Sequence, residues 1–369
     1  MTTKRDLSAF DIPLVAFVIA LSVIGVVVLK SSGDTVNMQI VWIITGLGVL
    51  CAAAFIDYDF ICSFYIPFYI VNLGLLGATL IIKQVTGETL LREISFGPVS
   101  IMPSEFSKIF MIIFISKYID NLKEKINKFY LAALLVLLVI VPFVLTVLQP
   151  SLSASFALLF ISVILLFAGK LHLRYFIIAA VIIIPALIFL YYDINRESPL
   201  FIKEILEDYQ IDRLMPLLNP SKATEEDTYQ LSRSVTAISS GQLTGVGYGN
   251  NKVAVPFANN DFIFSTIGAE FGFIGSVATI LIGFGIVFRC LIIAWRSEFF
   301  VGRLLCTGVA AMFAVHIFIN VGVATWILPN TGITFPFISS GGSSVWSSMA
   351  CVGLVINVGM KKTKSLFED

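Results

Sequence analysis

Apolar residues in this chain neither alternate nor recur at helical spacing. They come in long unbroken blocks separated by short polar gaps. A run of about 20 apolar residues crosses the hydrocarbon core as an α-helix, which satisfies its own backbone hydrogen bonds where no water can. Ten blocks reach or approach that length, at 10–30, 37–57, 60–83, 104–119, 129–148, 151–168, 175–192, 262–288, 304–324 and 345–360. The pattern predicts an all-α polytopic membrane protein with ten transmembrane helices in one membrane domain, 1–369.

One stretch breaks the pattern. Residues 193–261, between the seventh and eighth blocks, carry 16 charged residues among 69. A membrane protein that keeps one long loop of this kind is expected to do its chemistry there. Within it, 198–212 reads as an amphipathic helix, with Phe201, Ile202, Ile205, Leu206 and Tyr209 on one face. Asn219-Pro220 marks a turn. Residues 229–240 read as a second short helix, followed by Gly241, Gly245, Gly247 and Gly249. That glycine series neither follows a strand nor opens a helix, so a tight packed loop explains it better than a dinucleotide fingerprint.

Composition agrees with the blocks: 57% of residues are hydrophobic and mean hydropathy is +0.94. Net charge is zero, which excludes a nucleic-acid binder by bulk electrostatics. Lys and Arg flank spans preferentially on the cytoplasmic side. With the N-terminus inside, 14 of the 24 fall there and nine outside, six of those nine in the long loop, while Lys108 lies within a span. Both termini are thus expected in the cytoplasm, with loop 193–261 extracellular. The first apolar block is too long for a secretory signal and no small-residue cleavage site follows Lys30, so it reads as a retained helix. All five cysteines fall in or beside spans and read as small buried hydrophobes. Short cytoplasmic loops and the absence of GxxxxGK[ST] exclude ATP-driven transport by this chain alone. The lack of an internal repeat weighs against a secondary transporter.

Ionisable groups within spans cost about 2.5–3.5 kcal/mol each and mark candidate sites. The fourth span opens Pro103-Ser104-Glu105-Phe106-Ser107-Lys108. Pro103 suits a first helical turn, and Glu105 and Lys108 share a face three residues apart. They form either a structural ion pair or a polar cavity open to the outer side. Asp261, at the start of the eighth span, is either a helix N-cap or a reactive carboxylate. Glu270, about two and a half turns deeper, could face the same interior. The Ser/Gly-rich end of 328–344 leads into the last span and could aim N–H groups at a phosphate, or fold as a re-entrant loop. His316 reads as a satisfied bundle histidine. No spacing of His, Cys and carboxylates proposes a structural metal site.

Together these segments resemble the RodA, FtsW and SpoVE family of shape, elongation, division and sporulation proteins. The matching pieces are Pro103-Ser104-Glu105-Phe106-Ser107-Lys108, Gln149-Pro150, Asp212-Arg213-Leu214 with Leu218-Asn219-Pro220, and Tyr229-Gln230. Next come Asp261-Phe262-Ile263-Phe264, then Gly268 with Glu270-Phe271-Gly272-Phe273-Ile274-Gly275. The last is Pro336-Phe337-Ile338-Ser339 with Gly341-Gly342-Ser343-Ser344. They run in family order along nearly the whole chain. Details such as Asp208-Tyr209-Gln210 and Pro329 with Thr331-Gly332-Ile333 lean to the RodA branch.

The resemblance implies an inverting peptidoglycan glycosyltransferase in the bacterial plasma membrane, acting on its outer face. It would polymerise lipid II, the undecaprenyl-pyrophosphate-linked disaccharide pentapeptide, beside a class B penicillin-binding transpeptidase. Asp261 takes the role of catalytic base, and Glu105, Lys108 and Glu270 support the cavity. Substrate contacts are expected from Arg92, Ser104, Gln149, Arg213, Asn219, Gln230, Thr331, Ser339, Gly341, Gly342, Ser343 and Ser344. Arg213, Arg92, Lys108 or a divalent cation (magnesium or manganese) would offset the leaving pyrophosphate's charge; no cofactor is fixed by the pattern. The chain departs from the family at Glu93, Met102, Ser151, Ser153, Ala269 and Ser340. Two rival functions follow: a lipid II flippase, or a non-catalytic scaffold for the transpeptidase in division or sporulation.

Overall fold

A computed structural model describes residues 3–33, 36–87, 92–96, 99–149, 151–194, 196, 208–219 and 223–363. Helices dominate. In chain order they are α1 Ile12–Ser31, α2 Val36–Phe55, the short α3 Tyr58–Ser63, α4 Tyr65–Thr86, α5 Pro103–Leu122, α6 Phe129–Leu148, α7 Leu152–Ala168 and α8 Leu173–Ile194. Then come α9 Asp208–Leu218, α10 Glu225–Ser240, α11 Ile263–Arg296, α12 Phe300–Ala324 and α13 Gly342–Gly359. Local chemistry sets several boundaries. Asp11 caps α1 by accepting from Leu14 N at 2.9 Å, Pro103 occupies the first turn of α5, and Gly87 ends α4 in the left-handed conformation.

Every predicted block is occupied by a helix, and eight of these helices are long and apolar enough to cross a membrane. The exceptions are α7, with 17 residues, and α5, which carries Glu105, Lys108, Lys117 and Asp120. Helices α5, α12 and α13 are buried over most of their surface, as expected of helices enclosed by others, whereas α7 buries one face and exposes Phe156, Phe160, Val163 and Phe167 on the other. Around them α8 is exposed along its length, with only Asp193 and Ile194 buried. Four cysteines are buried and Cys51 is exposed, all as free thiols.

Four short strands were not foreseen. β1 Thr3–Arg5 pairs antiparallel with β4 Lys361–Thr363, so the two ends of the chain meet on one side of the bundle. Nearby, Arg289 grips Asp11 through Nε and Nη2 at 3.1 and 2.5 Å, fastening α1 to α11. β2 Ile94–Phe96 and β3 Val99–Ile101 form a hairpin ahead of α5.

Helix α11 is broken at Gly272, whose φ of 63° and ψ of −160° are non-helical and accessible to glycine. The break strands backbone groups that cannot stay unpaired at membrane depth, and the glycine loop after α10 takes them up. Val246 N donates to Ala269 O (2.9 Å) and Gly247 N to Glu270 O (3.1 Å), while Phe273 N donates to Gln242 O (2.9 Å). The predicted tight loop is therefore a clamp on a broken helix. The expected helix at 229–240 begins earlier, at Glu225. Of the amphipathic segment 198–212, residues 198–207 lie outside the described residues, and the helix seen there runs from Asp208 past Asp212 to Leu218. Pro220 of the expected turn is likewise outside them.

Candidate active site

At the end of the bundle opposite the paired termini is a cavity of about 390 Å³. Its walls come from segments far apart in sequence: the hairpin before α5, the first turns of α5 and α7, helices α9 and α10, the Asp261 segment, loop 330–341 and the start of α13. Asp261 is half-buried in this wall. Its position is fixed through its backbone. Asn320, deep in α12, donates from Nδ2 to Asp261 O (2.9 Å) and to Ile333 O (2.7 Å). Ser339 Oγ donates to Asn260 O at 2.7 Å, and Ser340 N to Asn259 O at 2.9 Å. Gly332 lies beside the carboxylate: a Cβ there would be 2.8 Å from Asp261 Oδ2 and 3.3 Å from Arg213 Nη1.

The helix-cap reading of Asp261 does not hold. Helix α11 starts at Ile263 with Phe262 as its cap and no side-chain capping bond. The carboxylate is thus left to the cavity. Burial pushes its pKa above the ordinary carboxylate value, while the positive charges of Arg213 and Arg92 pull the other way. Arg213 is itself anchored, donating from Nη1 to Thr331 O at 3.3 Å.

Glu105 also lines the cavity. Lys108 sits behind it, with Nζ 2.8 Å from Glu105 Oε1 and 2.9 Å from His316 Nε2. His316 is a satisfied bundle histidine, its Nδ1 3.3 Å from Thr334 O. At the other wall, Gly341 precedes α13 without a side-chain cap, and Gly341 through Ser344 face the cavity. The first N–H groups of a helix have no intrahelical partner, so this end can receive an anion. Ser343 and Ser344 are partly committed to protein partners: Ser343 Oγ accepts from Met102 N at 3.0 Å, and Ser344 Oγ is 3.0 Å from Thr334 Oγ1.

The cavity gathers Asp261, Glu105, Arg92, Arg213, Gln230, Gly341, Gly342, Ser343 and Ser344. It does not gather the remainder. Glu270 faces Ser31 and the backbone of Gly249, because the turn of α11 before its break points that side chain toward α1. Gln149 donates to Leu76 O at 2.9 Å and ties α6 to α4. Ser104 is buried without a hydrogen-bond partner for its hydroxyl. Asn219, just past the end of α9, does not line the cavity. Thr331 contributes its carbonyl to Arg213, and Ser339 braces the Asp261 segment; neither side chain lines the cavity.

Sequence reasoning missed Trp42, Ser100, Phe257, Asn330 and Thr334, which complete the walls, and Asn320, which braces Asp261. Asn320 carried a usable signal: an amide in an apolar span, one turn beyond His316. Five departures from the family pattern, Glu93, Met102, Ser151, Ser153 and Ser340, all line the cavity. Ala269 does not; its carbonyl belongs to the glycine clamp.

A second hollow of about 700 Å³ adjoins the first. It is walled by Phe156, Phe160 and Val163 of α7, Phe284 of α11, and Phe318 and Ile319 of α12. Ser153 lines both hollows. Among the described residues no group of three or more His, Cys, Asp or Glu side chains gathers as a metal cluster. The carboxylates that line the cavity are Glu93, Glu105 and Asp261.

The fold and site define a multi-pass membrane protein with a polar cavity at one end of its bundle and an apolar hollow beside it. The family described as Cell cycle protein, which unites FtsW, RodA and SpoVE, matches residues 6–364; the chain belongs to it, and its enzyme class is glycosyltransferase. The chain is 28% identical over 373 residues to a probable peptidoglycan glycosyltransferase FtsW of Trichlorobacter lovleyi, covering 95% of this chain and 93% of that protein. It is 32% identical over 315 residues to the FtsW counterpart of Borreliella burgdorferi, covering 82% and 80%. Stage V sporulation protein E of Bacillus subtilis is 29% identical over 269 residues, covering 72% and 70%. Among solved structures, a chain described under the structural coordination of polymerization and crosslinking by a peptidoglycan synthase complex matches with a TM-score of 0.80. It is 26% identical, covering 95% of this chain and 97% of that one. Thermus thermophilus RodA shares the fold with a TM-score of 0.67 at 22% identity, covering 96% and 97%. These sequence relatives carry FtsW and SpoVE names, so the local lean toward RodA gives way to the family as a whole.

Proposed function

We propose that this protein polymerises lipid II into peptidoglycan glycan strands on the outer face of the plasma membrane, with Asp261 as general base. One observation carries the reading: a half-buried carboxylate, braced on its backbone by Asn320 and Ser339 and opposed by two guanidinium groups, faces a polar cavity that adjoins an apolar hollow. A lipid-linked sugar pyrophosphate has that composition, a polar head for the cavity and a polyprenyl tail for the hollow.

In the reaction, the GlcNAc 4-hydroxyl of lipid II attacks C1 of the growing strand. The hydroxyl proton passes to an oxygen of Asp261, the new C–O bond forms, and the bond from C1 to pyrophosphate breaks with inversion. A sugar hydroxyl is a weak nucleophile, and a positioned base typically contributes about 10²–10⁴ in rate. Arg213, Arg92 and the free N–H groups at the start of α13 would stabilise the departing pyrophosphate. A divalent cation, where present, would share that charge.

Ten crossings with both termini cytoplasmic complete the proposal. The strand pairing of the two termini and the Lys/Arg asymmetry support it. The partner we propose is a class B penicillin-binding transpeptidase, since the synthase complex described above couples polymerisation with crosslinking. The test is polymerisation of purified lipid II with and without that partner. An enzyme lengthens glycan strands in detergent, where a flippase or a scaffold does not.

A further inference from the structure

His316 takes no part in the proposed transfer chemistry, yet both of its ring nitrogens are engaged inside the bundle. It is buried in α12, and its two ring nitrogens face different elements. Nδ1 lies 3.3 Å from Thr334 O, in the loop that walls the cavity. Nε2 lies 2.9 Å from Lys108 Nζ on α5. A carbonyl oxygen can only accept, so Nδ1 carries the proton. Nε2 then presents a lone pair, and the ammonium of Lys108, which can only donate, fills it. Lys108 is 1% exposed, and its other partner is Glu105 Oε1 at 2.8 Å. Glu105 stands on the cavity wall.

We infer that His316 is a positioning residue of the glycosyl transfer, holding Lys108 so that Glu105 keeps its place at the cavity floor. The inference rests on the proposed location of the reaction in this cavity and deepens it. A buried ammonium needs acceptors fixed in direction. With Glu105 as sole acceptor, Lys108 would pull the carboxylate toward itself and away from the cavity. The imidazole supplies the second acceptor from the opposite side, and its own Nδ1–H bond to Thr334 prevents the ring from turning. One side chain thereby couples α5, α12 and loop 330–341 through hydrogen bonds of fixed polarity.

The experiment is a set of substitutions assayed for polymerisation of purified lipid II with the full chain and its transpeptidase. His316→Gln keeps an acceptor at the reach of Nε2. His316→Asn keeps polarity near Nδ1 but loses the acceptor for Lys108. His316→Leu removes both. The Gln variant should stay within about threefold of wild type, while the Asn and Leu variants lose about 10–100-fold in kcat, the range seen when outer partners that orient metal ligands are removed. KM should change less, and thermal melting should be alike for the Gln and Asn variants. In a Lys108→Met background, His316→Asn should cost nothing further. Should the Asn variant not fold, His316→Gln against His316→Met gives the same contrast. Equal kcat for the Gln, Asn and Leu variants, or the full loss persisting on Lys108→Met, would overturn the inference. Asp261→Asn, run alongside, reports on the base separately: an active variant would sink that assignment and leave the His316 comparison standing.

Discussion

Gly332 and Asp261 are packed so closely that a single methyl group would collide: a Cβ on Gly332 would lie 2.8 Å from Asp261 Oδ2. Gly332 also adopts φ of +72°, a conformation that costs other residues about 1–2 kcal/mol. Gly332→Ala should therefore displace the carboxylate as well as strain the loop. Since a shift of about 1 Å can cost 10²-fold in rate, polymerisation should fall roughly a hundredfold while the protein still folds, with a lower melting temperature. A variant with wild-type turnover would show that the carboxylate does not act from its observed position.

Asp261→Asn isolates the base chemistry. The carboxylate caps no helix, so the substitution removes no capping bond, and the amide keeps the shape. Activity should drop at least about a hundredfold if base catalysis contributes as usual, with expression and partner binding unchanged. Turnover like that of wild type would remove Asp261 from the role of base.

The charge of Arg213 should be visible in the pH profile. Burial raises the pKa of Asp261 and Arg213 lowers it. A general base works in its ionised form, so activity rises with pH through that pKa. Arg213→Gln removes the lowering charge, and the acid limb of kcat/KM should move to higher pH. A limb that stays in place or moves lower would mean that the group titrating is not Asp261.

Glu105 and Lys108 should be coupled in stability. They meet at 2.8 Å with both side chains buried. Either single change to Ala leaves a buried charge poorly compensated, so the double change should cost less than the sum, with a coupling of about 0.5–3 kcal/mol. Thermal or denaturant unfolding of the four proteins in detergent measures it, and strict additivity would contradict the contact.

The side of the membrane on which the cavity opens is tested by a cysteine at Ala223, near the start of α10, in a background lacking the native cysteines. An impermeant thiol reagent should label it in intact spheroplasts. Labelling only after permeabilisation would place the cavity in the cytoplasm.

Much was legible in the sequence because the bilayer imposes a strong local rule. A spanning helix needs a run of about 20 apolar residues whatever its neighbours are, so the blocks that helices of the bundle occupy could be marked from composition alone. Departures from that rule also marked candidate residues: Glu105 and Lys108 stood out as charges in a span, and their three-residue spacing alone put them on one face. The glycine series announced a tight loop, because a residue without a side chain is needed where backbones meet.

Local pattern could not say which candidates converge. Asp261 and Glu270 are nine residues apart on what reads as one continuous helix, yet the helix starts only at Ile263, so Asp261 sits in the preceding loop at the cavity while Glu270 faces Ser31. Gln149 and Ser339 sit in motifs as specific as that of Asp261, yet both brace the backbone of other segments. Asn320 and His316, one turn apart in an apolar helix, take their meaning from carbonyls in loop 330–341 and from Lys108 on another helix. Chain order fixes which residues are polar inside the membrane, because that cost is paid locally. Which of them share one cavity is decided by tertiary packing, where each polar group must find its partner in another element.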